Sequence, residues 1–151
     1  MLLGDLLLQK KLITQEDLDS ALREQRTSNE FLGGILVKRL VLREEDLLKV
    51  LSEQFGIPWV NLRTYPIQWE VASRFSSELV LGGKCMPLKE DDKGILMAIV
   101  NPLDAVMISQ AEKEARGMNV RLALVSSGDM EEAQKAYRLE MSKKIKKLLE
   151  G

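Results

Sequence analysis

A chain of 151 residues that is 45% hydrophobic and 30% charged has room for one domain or two small ones and can bury a core. Lys and Arg number 22 against 23 Asp and Glu, so a net charge of −1 sets up no global field for nucleic acid or an anionic membrane. With no histidine and one cysteine, Cys85, an intramolecular disulfide, a thiolate metal cage and every Ser-His or Cys-His nucleophile pair are excluded.

The elements begin with a duplication. Residues 2–25 read LLGDLLLQKKLITQEDLDSALREQ; after the five-residue spacer RTSNE, residues 31–54 read FLGGILVKRLVLREEDLLKVLSEQ. At an offset of 29 the copies share nine identities: Leu3/Leu32, Gly4/Gly33, Leu7/Leu36, Glu16/Glu45, Asp17/Asp46, Leu18/Leu47, Leu22/Leu51, Glu24/Glu53 and Gln25/Gln54. Leu3, Leu6 and Leu7 recur at helical spacing, and the run breaks near Lys10 and Lys11. Thr14 then caps a longer helix with Asp17 at its third position. The second copy repeats the scheme with Leu32, Ile35 and Leu36, then Leu47, Val50 and Leu51, although Arg43 is a poor cap. Neither helical pair buries its apolar face alone, and the stripe of Leu18, Leu22, Leu47 and Leu51 is the expected seam between copies.

Gly56 and Pro58 stop the last helix of the repeat, and Trp59-Val60 turn extended. QWEVASRFSSELV reads as a short helix with Val71 and Phe75 one turn apart. KCMPL and GILMAIV read as two strands joined by KEDDKG, with Gly94 supplying a positive φ and Cys85 serving as a small core hydrophobe. Asn101-Pro102 opens a helix to about Arg116, ended by Gly117. NVRLALV alternates as a half-buried strand, and Ser126 with Asp129 caps a final helix on which Met130, Ala133 and Tyr137 share a face.

The expected fold class is α+β. A helical lobe of two helix-turn-helix repeats covers 1–62, and a mixed α/β lobe covers 63–138 in the order strand, strand, helix, strand, helix. Residues 139–151 form a C-terminal helix or linker. There Met141, Ile145 and Leu148 make a stripe among Lys143, Lys144, Lys146 and Lys147. A basic membrane-surface or partner-binding helix is one reading and a solvated linker the other; the short charge run, flanked by Glu140 and Glu150, favours the linker. No GxxxxGK[ST] occurs, no stretch reaches the roughly 18 apolar residues of a membrane span, and no signal-peptide pattern opens the chain. The sequence reads as a cytosolic non-enzyme.

The doubled motif, SEQFGIPWVNL, the MPL and ILMAIVNPLD hairpin, VRLALVS and a closing helix with Tyr137 together resemble one known family. It is the N-terminal domain of the hexameric ATPases of type II secretion and type IV pilus assembly, also called the MshEN domain. In that family each motif reads approximately Arg-Leu-Gly, two residues, two apolar residues, Gly three places on, an apolar residue, and much later Leu, Leu and a terminal Gln. The resemblance implies a binding site for cyclic di-GMP, one guanine and its phosphate per motif. Arg would lie over the purine and meet phosphate charge, Gly would admit backbone N–H groups, aliphatic side chains would sandwich the bases, and Gln would read a base edge. The matching positions here are Leu3, Gly4, Leu7 and Gln25, then Leu32, Gly33, Leu36 and Gln54. The Arg position holds Leu2 and Phe31, and the later Gly position holds Lys11 and Leu40. Charge-assisted contacts are worth roughly 1.5 to 3 kcal/mol each, so two missing cations weaken such binding by about two to four powers of ten.

The resemblance therefore implies an adaptor: a non-catalytic N-terminal module that docks a secretion or pilus motor onto the cytoplasmic domain of its inner-membrane platform protein. Such a module is cytoplasmic and peripheral to the inner membrane through its partners, has an ATPase core downstream in the same chain, and involves no nucleic acid, no direct membrane insertion and no resident cofactor. The alternative is a sensor domain with cyclic di-GMP as ligand. A third reading is a regulatory protein that works away from any motor.

Overall fold

Leucines at helical spacing, interrupted at a left-handed residue, build the first part of the molecule twice. In the computed structural model, which describes residues 2–150, the first repeat is α1 (Leu3–Gln9) and α2 (Gln15–Ser28), and the second is α3 (Leu32–Lys38) and α4 (Glu44–Phe55). Each short helix ends in the same turn. Lys11 has φ 59° and Leu40 φ 60°. Their N–H groups donate to the carbonyls of Leu8 and Val37, both at 3.0 Å, and those of Leu12 and Val41 donate to Leu7 and Leu36 at 3.0 and 3.1 Å. Thr14 caps α2 in a full capping box: its Oγ accepts from Asp17 N at 3.1 Å, and Asp17 Oδ2 accepts from Thr14 N at 3.0 Å. Arg43 gives α4 no side-chain cap.

The repeats meet chiefly where α2 packs on α3, with α1 against α3 contributing less. Leu18 and Leu47 serve their own repeats, each seated over the glycine of the preceding short helix. The reason is size: a helix with glycine at its second position lets the longer helix come close, and the leucine fills the space a Cβ would take.

The second unit runs from Ile57. Residues 57–62, grouped with the helical lobe in the sequence reading, are hydrogen-bonded into it. Val60 N donates to the Leu124 carbonyl at 3.0 Å, and Leu124 N to the Pro58 carbonyl at 2.8 Å. The sheet has the order β1 (Cys85–Asp91), β2 (Gly94–Ile99), β3 (Val120–Leu124). β1 and β2 are an antiparallel hairpin with Cys85 opposite Ile99 and Asp91 opposite Gly94. β2 and β3 are parallel, which requires a crossover; after α5 (Trp69–Ala72) in chain order, α6 (Ala105–Glu114) supplies it. Pro87 lies on edge strand β1, where the missing N–H is tolerated, next to a register shift. α7 (Ser127–Glu150) closes the unit: Met130, Ala133 and Tyr137 are buried, as their spacing predicts, and Ser126 Oγ accepts from Asp129 N at 3.1 Å.

Two helix expectations are shortened by side-chain hydrogen bonds. The helix expected over residues 68–80 stops at Ala72 and resumes as a π-helical turn, Glu78–Gly82. Glu114 accepts from Ser76 N at 2.6 Å and Ser76 Oγ at 2.7 Å, and the buried Gln134 Nε2 donates to the Val80 and Leu81 carbonyls at 3.0 and 3.1 Å. α6 begins at Ala105, not Asn101, because Asn101 Oδ1 accepts from Leu103 N at 2.9 Å in a local turn and Asp104 makes the cap.

Candidate functional site

The eight motif positions lie on equivalent places of the two repeats. Leu3 and Leu32 open α1 and α3 and are buried; Leu7 and Leu36, a turn further on, are fully buried. A Cβ on Gly4 would come within 2.7 Å of Leu18 Cδ1. One on Gly33 would come within 2.8 and 2.9 Å of the Leu47 methyls and 3.0 Å of Phe31 Cε2. Six of the eight positions are thus occupied with internal packing. Gln25, at the end of its motif, donates from Nε2 to the Glu30 carbonyl at 3.0 Å and so holds the spacer against α2. Gln54 is exposed near the end of α4.

At the position where the family carries Arg stand Leu2, 76% exposed, and Phe31, half-buried. Both are the residue before the short helix, in extended backbone, and neither makes a side-chain cap. At the later Gly position Lys11 and Leu40 adopt the left-handed conformation that favours glycine. Leu40 is 92% exposed. The backbone shape at this position is therefore kept in both copies while the side chains differ.

Sequence reasoning missed a pair of ionic contacts across the repeats. Lys10 Nζ lies 3.6 Å from Glu53 Oε2. Arg39 reaches Glu24 Oε1 from Nη2 at 2.7 Å and from Nε at 3.0 Å, and also bonds Ser20 Oγ. Lys10 and Arg39 are equivalent at the offset of 29, and so are Glu24 and Glu53. Each repeat thus gives its cation to the other repeat's carboxylate, the reciprocity of a local two-fold relation. The signal was present in the alignment of the two copies, as the same charge type at two matched positions, but which carboxylate each cation meets is a tertiary fact. The pairs are partly exposed and each is worth at most about 1 kcal/mol.

Elsewhere the chemistry is quiet. Among the described residues no group of His, Cys, Asp and Glu is arranged to hold a metal ion. Burial, and secondarily the charge of Glu114, pushes the Cys85 thiol up to about 12, so its thiolate is not populated at neutral pH. No described helix is long and apolar enough to cross a membrane.

Residues 55–143 match the model of the MshEN domain. The type IV pilus assembly ATPase PilB of Myxococcus xanthus is 25% identical over 138 residues, covering 91% of this chain and 24% of that protein. PilB of Thermus thermophilus is 30% identical over 112 residues, covering 73% of this chain and 13% of that protein. Bacteriophage adsorption protein B of Escherichia coli is 27% identical over 128 residues, 85% of this chain and 17% of that protein. The chain spans about a quarter or less of the length of these curated relatives. Two solved structures share the fold. MshE with cdg, cyclic di-GMP, superposes at a TM-score of 0.76 with 18% identity, over 91% of this chain and 99% of that one. The N-terminal domain of XpsE does so at 0.70 with 21% identity, over 87% and 90%.

Proposed function

This chain belongs to the MshEN domain family, and from that premise we propose that it is a non-catalytic N-terminal module of a type IV pilus or type II secretion ATPase that docks the motor to the cytoplasmic domain of an inner-membrane platform protein. The observation that carries the reading is the use of the doubled motif: its leucines and glycines are occupied with packing, and both cation positions are apolar. The named relatives support the setting, since two are pilus assembly ATPases and a third structure is the N-terminal domain of XpsE. The chain contains no phosphate loop, so ATP hydrolysis falls to a core elsewhere in the protein. Co-purification of the motor with the soluble domain of its platform protein tests the reading. Retention that depends on this module is expected; a motor that binds its platform equally well without the module refutes it.

A sensor for cyclic di-GMP is the second reading. It is favoured by the shared fold with MshE, solved with that ligand, and by the left-handed turn at Lys11 and Leu40, which keeps the backbone of a glycine position. The candidate contacts are Leu3, Gly4, Leu7, Gln25, Leu32, Gly33, Leu36 and Gln54. Calorimetric titration separates the readings. Weak or absent binding is expected from the adaptor; tight binding that is lost in Gln25→Ala or Gln54→Ala places the sensor first. The third setting, away from any motor, has support in bacteriophage adsorption protein B, and a GxxxxGK[ST] sequence downstream in the same protein would rule it out.

A further inference from the structure

The last three turns of α7 leave the β-sheet unit's core and carry a pattern that packing within the chain does not use. Met141 is half-buried, while Ile145, Leu148 and Leu149 are 59%, 74% and 83% exposed. Met141, Ile145 and Leu148 follow one another at i, i+4 and i+7 and so lie on one side of the helix. Lys143, Lys144, Lys146 and Lys147 occupy the rest of its circumference with Glu140 and Glu150. On sequence grounds the short charge run favours a solvated linker over a membrane-surface or partner-binding helix. The structure adds a concave feature: a cleft of about 340 Å³ between α5 and α7, walled by Trp69 and Met141, to which Lys143, Lys144 and Lys147 come together. Lys144 Nζ is held there by Ser73 Oγ at 3.1 Å. Of the two carboxylates at the cleft, Glu140 is paired with Lys143 at 3.5 Å, and Glu70 is exposed.

We propose that this end of α7, with Trp69, is a peripheral docking face for an anionic lipid surface. Charge complementarity selects the occupant: four lysines in five residues flank an exposed aliphatic stripe, and a tryptophan stands beside them, the composition of a helix that lies in a bilayer's headgroup region. A second copy of the chain is a poorer fit. Pairing would bring lysines against lysines. The face adsorbs to a surface and does not span it, and its role is independent of the dinucleotide motifs.

The test uses the full chain carrying Trp59→Phe, which leaves Trp69 as the reporter. Vesicles of phosphatidylcholine alone and of equal parts phosphatidylcholine and phosphatidylglycerol are titrated, and sedimentation is measured in parallel. Binding to the anionic vesicles with a blue shift of Trp69, weakened by salt, is expected, with none to the neutral ones. Each lysine near an anionic surface contributes roughly a fivefold factor, so Lys143→Gln, Lys144→Gln and Lys147→Gln together should weaken binding on the order of a hundredfold. Ile145→Gln with Leu148→Gln should abolish the blue shift; both side chains are exposed, and circular dichroism checks that the fold is intact. Glycerol phosphate that competes at low concentration would point to a free phosphate ligand and overturn the proposal. So would equal binding to both vesicle types, no binding to either, or self-association abolished by Leu148→Gln.

Discussion

The two repeats of the helical unit have one backbone and two ways of holding it. In the first, α2 begins at a reciprocal capping box of Thr14 and Asp17, and its outer face is polar, with Asp19 exposed. In the second, α4 starts at Arg43 without a side-chain cap, but Leu48 stands at the position equivalent to Asp19 and is buried, as is Ile35 where the first repeat has the half-buried Leu6. Local hydrogen bonding supports one copy and apolar burial the other. Duplicated segments therefore keep what both need, the glycine under the leucine and the left-handed turn, and are free to differ in how each helix is secured. The same comparison explains the ligand motif. Six of the eight motif positions retained in both copies have packing duties, and the Arg position, which faces solvent at Leu2, carries no such constraint.

The comparison is broken most strongly in the core. Leu51 is fully buried and its counterpart Leu22 half-buried, so Leu51→Ala should cost about 2 to 5 kcal/mol and Leu22→Ala about half as much, read from denaturant midpoints. Equal losses would show that the repeats are stabilised alike. Next in size is the ligand. Leu2→Arg with Phe31→Arg restores a guanidinium to each motif and should tighten cyclic di-GMP binding by at least about tenfold in calorimetry. Recovery stays partial because Lys11 and Leu40 still stand where the family has glycine and Gln25 is engaged with Glu30. No gain at all would mean that the packed motifs cannot open to a ligand.

The caps come third. Thr14→Ala should lower stability by about 1 kcal/mol, whereas Arg43→Ala should change it by less than about 0.5 kcal/mol, since only the first removes a bonded cap. Thermal melts of the two single variants suffice, and a larger loss at Arg43 would contradict the division of labour. The smallest effect is at the turns. Leu40 buries almost nothing and holds a left-handed φ, so Leu40→Gly should raise stability by about 0.5 kcal/mol, the relief of strain exceeding the added freedom of the unfolded chain. Lys11→Gly should do the same, and a loss at either site would show a side-chain role at that turn.

Much of this molecule was readable before any coordinates. The offset of 29, the helix starts at Thr14 and Ser126, the hairpin turned at Gly94 and the strand-strand-helix-strand-helix order all follow from interactions within a few residues, where spacing and capping chemistry suffice. The resemblance of the doubled motif to its family was likewise a matter of residue types at fixed intervals. Tertiary structure decided what depends on distant partners. It broke the helix expected after Gln68, because Glu114 and Gln134 lie far along the chain from the segment they hold. It placed Leu18 and Leu47 over glycines inside their own repeats, because only the approach of two helices tells which neighbour a leucine fills. It also joined Lys10 to Glu53 and Arg39 to Glu24 across the repeats. A one-dimensional pattern carries periodicity and local hydrogen-bonding preference; which surfaces then meet is set by packing between elements, and that choice gave the motif's leucines and glycines to the core.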